Sequence, residues 1–253
     1  MRFARAFIIS IAAILLAATL PASGCGGKKA PSLSFPSSGE TPVINYSSYK
    51  AIAPVYNPDV PVVVIYPDGT MIKKQDPYDF TTGTLSRDQV TDILQSLQED
   101  GFFGFKKEYG GGEAKPGGTT ETLTVNVESG AYTVSVVGGS GPAGWNDIVH
   151  TVINAKPSKV EAYVPGSIIL NSKEEPQVPQ GAKVTPWPGQ ASDLAEAAAQ
   201  DGQKLTGDSA ALAWKTVQGA FSNGGAGSDI YWTAGDKTYT YVYARPELPG
   251  IDQ

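Results

Sequence analysis

Apolar residues recur along this chain in two rhythms, one of period two and one of period near 3.6, and the changes between them mark its elements. The run Val62-Val63-Val64-Ile65-Tyr66 is apolar throughout, Pro67-Asp68-Gly69 supplies turn chemistry, and a second strand is expected at residues 70–74, completing a hairpin. Ser86-Arg87-Asp88-Gln89 then reads as a capping box, in which the Ser hydroxyl and the Gln side chain satisfy amides that the first helical turn leaves unpaired. Val90, Ile93, Leu94 and Leu97 share one face of the helix that follows, and Gly101 is a favoured residue just past a helix end. Leu123, Val125 and Val127 alternate with polar residues, Ser129-Gly130 turns the chain, and Tyr132, Val134 and Val136 alternate back. Pro142 suits the first position of a second helix, whose stripe is Trp145, Ile148, Val149, Val152 and Ile153.

Beyond residue 159 the pattern is punctuated by proline. A short strand is expected at 167–170, followed by a Pro-rich linker at 173–190 containing Pro176, Pro179, Pro186 and Pro188. A helix is expected around 192–200 and a longer one at 208–221, where Ala210, Ala213, Trp214, Val217 and Phe221 align. Strands at 229–233 and 237–244 flank Ala234-Gly235-Asp236 as a terminal hairpin. The expected fold class is α+β, with antiparallel hairpins packed against helices across a domain at 59–172. A smaller helix-helix-hairpin region occupies 191–253. The order strand, strand, helix, strand, strand, helix between residues 60 and 156 resembles the small protease-inhibitor fold of emfourin. That resemblance rests on pattern alone and implies a fold without assigning inhibitory residues.

The amino terminus follows different rules. Arg2 and Arg5 precede an apolar run from Ala6 to Ala18, which Pro21, Ser23 and the glycines at 24, 26 and 27 end before it reaches the ~20 residues of a membrane span. A basic start, a short apolar stretch and small residues describe a secretory signal peptide at 1–24. Ala22-Ser23-Gly24-Cys25 resembles the bacterial lipobox, departing from its commonest pattern at Ala22, where Leu is usual. The resemblance implies cleavage before Cys25, a diacylglycerol on its thiol and often an acyl group on the new amino terminus. Two acyl chains give stable anchoring, whereas one alone binds marginally. In a two-membrane host, Gly26 in place of an inner-membrane retention Asp points to the outer membrane; in a one-membrane host the anchor lies in the outer leaflet. Residues 25–58 are rich in Gly, Ser and Pro and are expected to be a tether, although Tyr46, Tyr49, Ile52, Val55 and Tyr56 leave its far end open.

Composition narrows the partners. Removing Arg2 and Arg5 with the leader leaves 17 basic against 25 acidic residues, a formal charge of −8. This argues against a nucleic-acid surface, which needs clustered cations to displace counterions. Cys25 is the only cysteine, so the mature chain has no disulfide and the fold relies on packing.

Candidate chemistry is sparse. Gly139-Ser140-Gly141-Pro142-Ala143-Gly144 satisfies GxGxxG, yet Pro142 removes an amide from any phosphate cradle and no parallel crossover follows, so a loop and helix start are expected. His150 is the only histidine and lies off its helix's apolar stripe, which makes an imidazole-based triad or multi-histidine zinc site hard to build. Neither Glu99-Asp100 nor Glu174-Glu175 has the spaced ligands of a calcium loop, and no cofactor or metal is expected. Aromatic residues carry more. With Gly235-Asp236 at the turn, Trp232 faces Tyr239, and Tyr241 and Tyr243 fall on the same side by the strand period. Such a face either stacks a glycan or covers the helix bearing Trp214 and Phe221. The sequence therefore points to a lipid-anchored envelope protein that binds a protein or glycan without catalysis. An envelope hydrolase and an inhibitor of an extracytoplasmic protease are the alternatives.

Overall fold

The computed structural model describes residues 31–50, 60–111, 117–200, 202–222 and 230–251. The expected leader at 1–24 and Cys25 lie outside these residues, as do Ile52, Val55 and Tyr56 of the expected tether. The described residues belong to one compact unit beginning at Pro31. It is α+β, with four α-helices and thirteen strands in two sheets among the described residues.

The first sheet has eight strands: β1 (Ile44–Lys50), β2 (Val63–Ile65), β3 (Thr70–Asp76), β4 (Asp79–Thr84), β5 (Glu108–Tyr109), β6 (Thr119–Val127), β7 (Gly130–Val137) and β8 (Ser158–Ala162). Their order is β5-β7-β6-β1-β2-β3-β4-β8, antiparallel except for β5 beside β7. Within the segment 25–58, expected to be a tether, the described residues 31–50 are part of the fold instead. Phe35, Val43, Ile44 and Tyr46 are buried, and β1 pairs with β2 on one side and β6 on the other. Two hairpins that the sequence pattern leaves separate are thus joined into one sheet, because β1 satisfies an open backbone edge of each. β4 and β8 also went unread, since β4 places only Phe80 and Gly83 inside and β8 is exposed throughout.

Side chains of the central strands alternate between two cores. Ile44, Val63, Ile65 and Met71 face α1 (Arg87–Glu99) and α2 (Trp145–Ile153), while Val64 and Ile72, opposite one another across β2 and β3, face the other way. The capping box of α1 is present: Gln89 N–H donates to Ser86 Oγ at 3.1 Å and Ser86 N–H to Gln89 Oε1 at 2.8 Å. Helix α2 begins at Trp145 instead of Pro142, after Gly144 adopts a left-handed φ of 85°. A carboxylate ties α2 to the sheet, since Glu121 accepts from Tyr46 Oη at 2.7 Å and from Trp145 Nε1 at 2.8 Å. Lys73 Nζ donates to the Ile153 carbonyl at 2.7 Å, where the last turn of α2 leaves an acceptor open.

The second sheet contains β9 (Ser167–Glu174), β10 (Val184–Pro186), β11 (Gln203–Thr206), β12 (Tyr231–Ala234) and β13 (Lys237–Pro246), in the order β10-β12-β13-β9-β11. Its apolar face shares one core with α3 (Ala191–Ala199), α4 (Gly207–Ser222) and the back of the first sheet. Trp214 of α4 packs edge-on against Phe80 with ring centroids 5.4 Å apart, and Phe221 stacks on Tyr78 at 4.5 Å. The expected division at 172, with a linker at 173–190, therefore does not hold. β9 runs across residue 172 between β13 and β11 of the second sheet, β10 lies inside the expected linker, and Trp187 just beyond β10 is buried. Of the prolines there, Pro186 lies in β10, an edge strand, a place where a missing amide can cost no ladder bond.

Candidate functional site

The aromatic face expected on the terminal hairpin is not assembled. Trp232 does pair with Tyr239, as the turn at Gly235-Asp236 requires, but both side chains are core, at 5% and 1% exposure. Burial pushes the Tyr239 phenol above its ordinary pKa. Beyond Thr240 the register against β9 slips, with Thr240 opposite Lys173 but Tyr243 opposite Asn171, so two residues face one. This bulge places Tyr241 at a positive φ of 50° and moves the inward positions to Val242 and Ala244. Tyr241 is exposed with the Lys173 ammonium 5.8 Å above its ring, and Tyr243 is half-buried against the core. The period of two that grouped Tyr239, Tyr241 and Tyr243 fails because one extra residue is inserted between them. His150 is exposed on α2, and Gly139 to Gly144 form the approach to that helix.

A different constellation appears one strand away. Val184–Pro186 of β10 runs parallel to β12, and the Trp187 backbone N–H prolongs that ladder by donating to Thr233 O at 2.8 Å. This fixes Trp187, whose ring stands edge-on to Trp232 with centroids 5.5 Å apart. Pro188-Gly189 then turns the chain, and Gln190 caps α3. The Asp193 carboxylate reaches back to accept from Gln190 N–H at 3.1 Å, a position that also favours an anion through the helix dipole. The first turns of α4 supply the opposite wall with Asp208, Ser209, Leu212 and Ala213. Together these residues enclose a cleft of about 350 Å³.

Two features set this cleft apart. The Trp187 indole Nε1 is buried and has no hydrogen-bond partner, and Leu212 leaves 43% of its surface exposed. Such a combination of an apolar wall with a few convergent polar groups is the usual make-up of a small-molecule site. None of the cleft-lining residues was singled out as a site by sequence pattern, although Ala213 was read as part of a helix stripe and Pro188 as part of a linker. The signal present was Trp187 itself, a large apolar side chain in a stretch otherwise read as solvated linker, which has to be buried somewhere.

Among the described residues, no group of three or more His, Cys, Asp and Glu side chains is arranged to hold a metal, and no helix is long and apolar enough to cross a membrane. No known protein family, characterised protein or solved structure matches the chain.

Proposed function

We propose that this chain is a lipoprotein of the bacterial envelope, acylated at Cys25, whose folded body binds a partner at the α3–α4 cleft and performs no chemistry on it. The observation that carries the anchor is the placement of the lone cysteine directly after Ala22-Ser23-Gly24, at the end of a basic-then-apolar leader. Six residue steps separate Cys25 from Pro31, where the described body begins, a reach of at most about 20 Å for extended chain. Support for the binding role is the cleft, whose groups suit hydrogen bonding and apolar contact.

The anchor is tested by labelling cells with radioactive palmitate. Label is expected in the wild type and absent from Cys25→Ala, and equal labelling of the two would overturn the assignment. A second reading, hydrolysis of an envelope glycan, is favoured by Asp193 and Asp208 lining one cleft, since paired carboxylates perform that reaction. Turnover of chromogenic glycosides that disappears in Asp208→Asn would establish it in place of the binding role.

A further inference from the structure

We infer that β8 pairs antiparallel with β8 of a second copy of this chain, about a two-fold axis at Val160, joining the two first sheets edge to edge. The inference goes beyond the anchor and the cleft and rests on neither. Among the described strands four lie at sheet edges, and β8, at five residues, is the longest of them. All five residues are exposed, so no described element covers that edge. Val160 keeps 57% of its surface in water, the largest fraction of any large apolar side chain among the described residues.

The backbone of this edge is open. Tyr163 N–H donates to Phe80 O at 2.9 Å and Glu161 stands opposite Thr82, so these two residues turn their amides and carbonyls towards β4. Ala162 and Val160 alternate with them and turn theirs outward, where a row of unpaired donors and acceptors is a template for another strand. β8 carries one extra residue against β4, with Lys159 at a positive φ of 53°. A bulge and an edge lysine ordinarily keep such an edge from pairing. In this strand the lysine has a counterpart two residues on.

The order Lys159-Val160-Glu161 selects the occupant. Antiparallel self-pairing centred on Val160 sets Val160 against Val160 of the second copy, Lys159 against its Glu161, and Glu161 against its Lys159. Both charges are exposed, and the ion pairs among the described residues, Lys204–Glu247 and Lys237–Glu174, use neither. Centring the pair on Lys159 or on Glu161 instead sets like charges opposite one another, which disfavours those registers. The contact is isologous and closes on itself. Its two-fold axis stands perpendicular to the sheet, so α1 and α2 of both copies lie on one side of the joined sheet. Pro31 is on that side in each copy, since its carbonyl accepts from Gln98 of α1 at 3.3 Å, and two chains anchored in one membrane can therefore meet in this way.

The test uses the full-length chain purified in lauryldimethylamine oxide, with micelles in excess over protein. Cys25 is the only cysteine, so the wild type sets the background for a thiol introduced at one site. Val160→Cys, oxidised with copper phenanthroline, is expected to form a disulfide-linked dimer, because residues directly opposite in an antiparallel pair have Cα atoms about 4.5–5.5 Å apart, within disulfide reach. Leu212→Cys, exposed on α4, is expected to stay at background. In the Val160→Cys chain, Lys159→Glu or Glu161→Lys alone is expected to lower the dimer yield about fivefold, and the two together to restore it. Residues 159, 160 and 161 are all exposed, so these substitutions leave the core intact. Equal yields at positions 160 and 212, single reversals without effect, or a loss that the double reversal does not restore would overturn the inference. Palmitate labelling reads the anchor separately, so the anchor and the dimer can fail independently.

Discussion

Glu247 shows how a single side chain couples this fold to pH. Partial burial pushes its carboxyl pKa up. Opposing this, Lys204 Nζ at 2.8 Å and the Ser167 hydroxyl bond the carboxylate, and the charges of Lys204 and Arg245 add to them. The balance holds Glu247 below the usual carboxylate value. A lowered folded-state pKa contributes stability above the unfolded value, near 4.3 for Glu. It is lost as pH falls through the folded value. The urea midpoint of the wild type is therefore expected to exceed that of Glu247→Gln at neutral pH, with the difference closing as the solution is acidified below the ordinary carboxylate range. A difference independent of pH would mean that the ion pair is not the source. The contribution is modest, because Glu247 and Lys204 keep 30% and 60% of their side-chain surface in water.

At the scale of the element, α1 separates local from tertiary contributions. Its start is encoded within four residues, where Ser86 and Gln89 exchange bonds, and removing such a cap costs about 0.5–2 kcal/mol. Its docking depends on Val90, Ile93, Leu94 and Leu97, all buried, with Leu94 fully so. Leu94→Ala is expected to cost about 2–5 kcal/mol, since the packed sheet beneath it collapses only in part around the cavity. Urea unfolding of Ser86→Ala and Leu94→Ala should place the second midpoint well below the first. Equal midpoints would mean that α1 is held by its cap and not by the sheet. β13 gives the converse lesson: its alternation is regular in sequence, but a bulge at Tyr241 decides which tyrosine faces water.

For the whole molecule, the second core is decisive, because it contains residues of both sheets with α4 between them. Trp214 touches Tyr78 and Phe80 of the first sheet region from a helix lying on the second sheet, and Gln218 Nε2 donates to the Tyr78 carbonyl at 2.7 Å. Tyr66 Oη donates to the Pro249 carbonyl at 3.1 Å, bringing the carboxyl-terminal segment onto the same sheet. Separating the sheets would expose this shared apolar surface to water, at roughly 25 cal/mol per Å². A single unfolding transition is expected, with tryptophan fluorescence and far-ultraviolet circular dichroism superimposing in urea. Two resolved transitions would restore the division near residue 172.

The hydrophobic rhythm by itself determined the α+β class, the positions of the four helices and the hairpins β6–β7 and β12–β13. Those features depend on contacts a few residues apart, where periodicity and caps state the outcome. It also carries the basic-then-apolar start and the small residues before Cys25 on which the proposed anchor rests, since such a signal depends on local residues alone. Only tertiary structure decided that β1 enters the first sheet, because pairing with strands at 63–65 and 119–125 is a long-range choice that a short, partly polar strand does not announce. The same holds for the cleft. Trp187, Gly189, Asp193 and Asp208 carry no motif in sequence, and they meet because β10 adds to β12 while α3 and α4 pack on one sheet face, setting an indole N–H beside a glycine where no protein group reaches it.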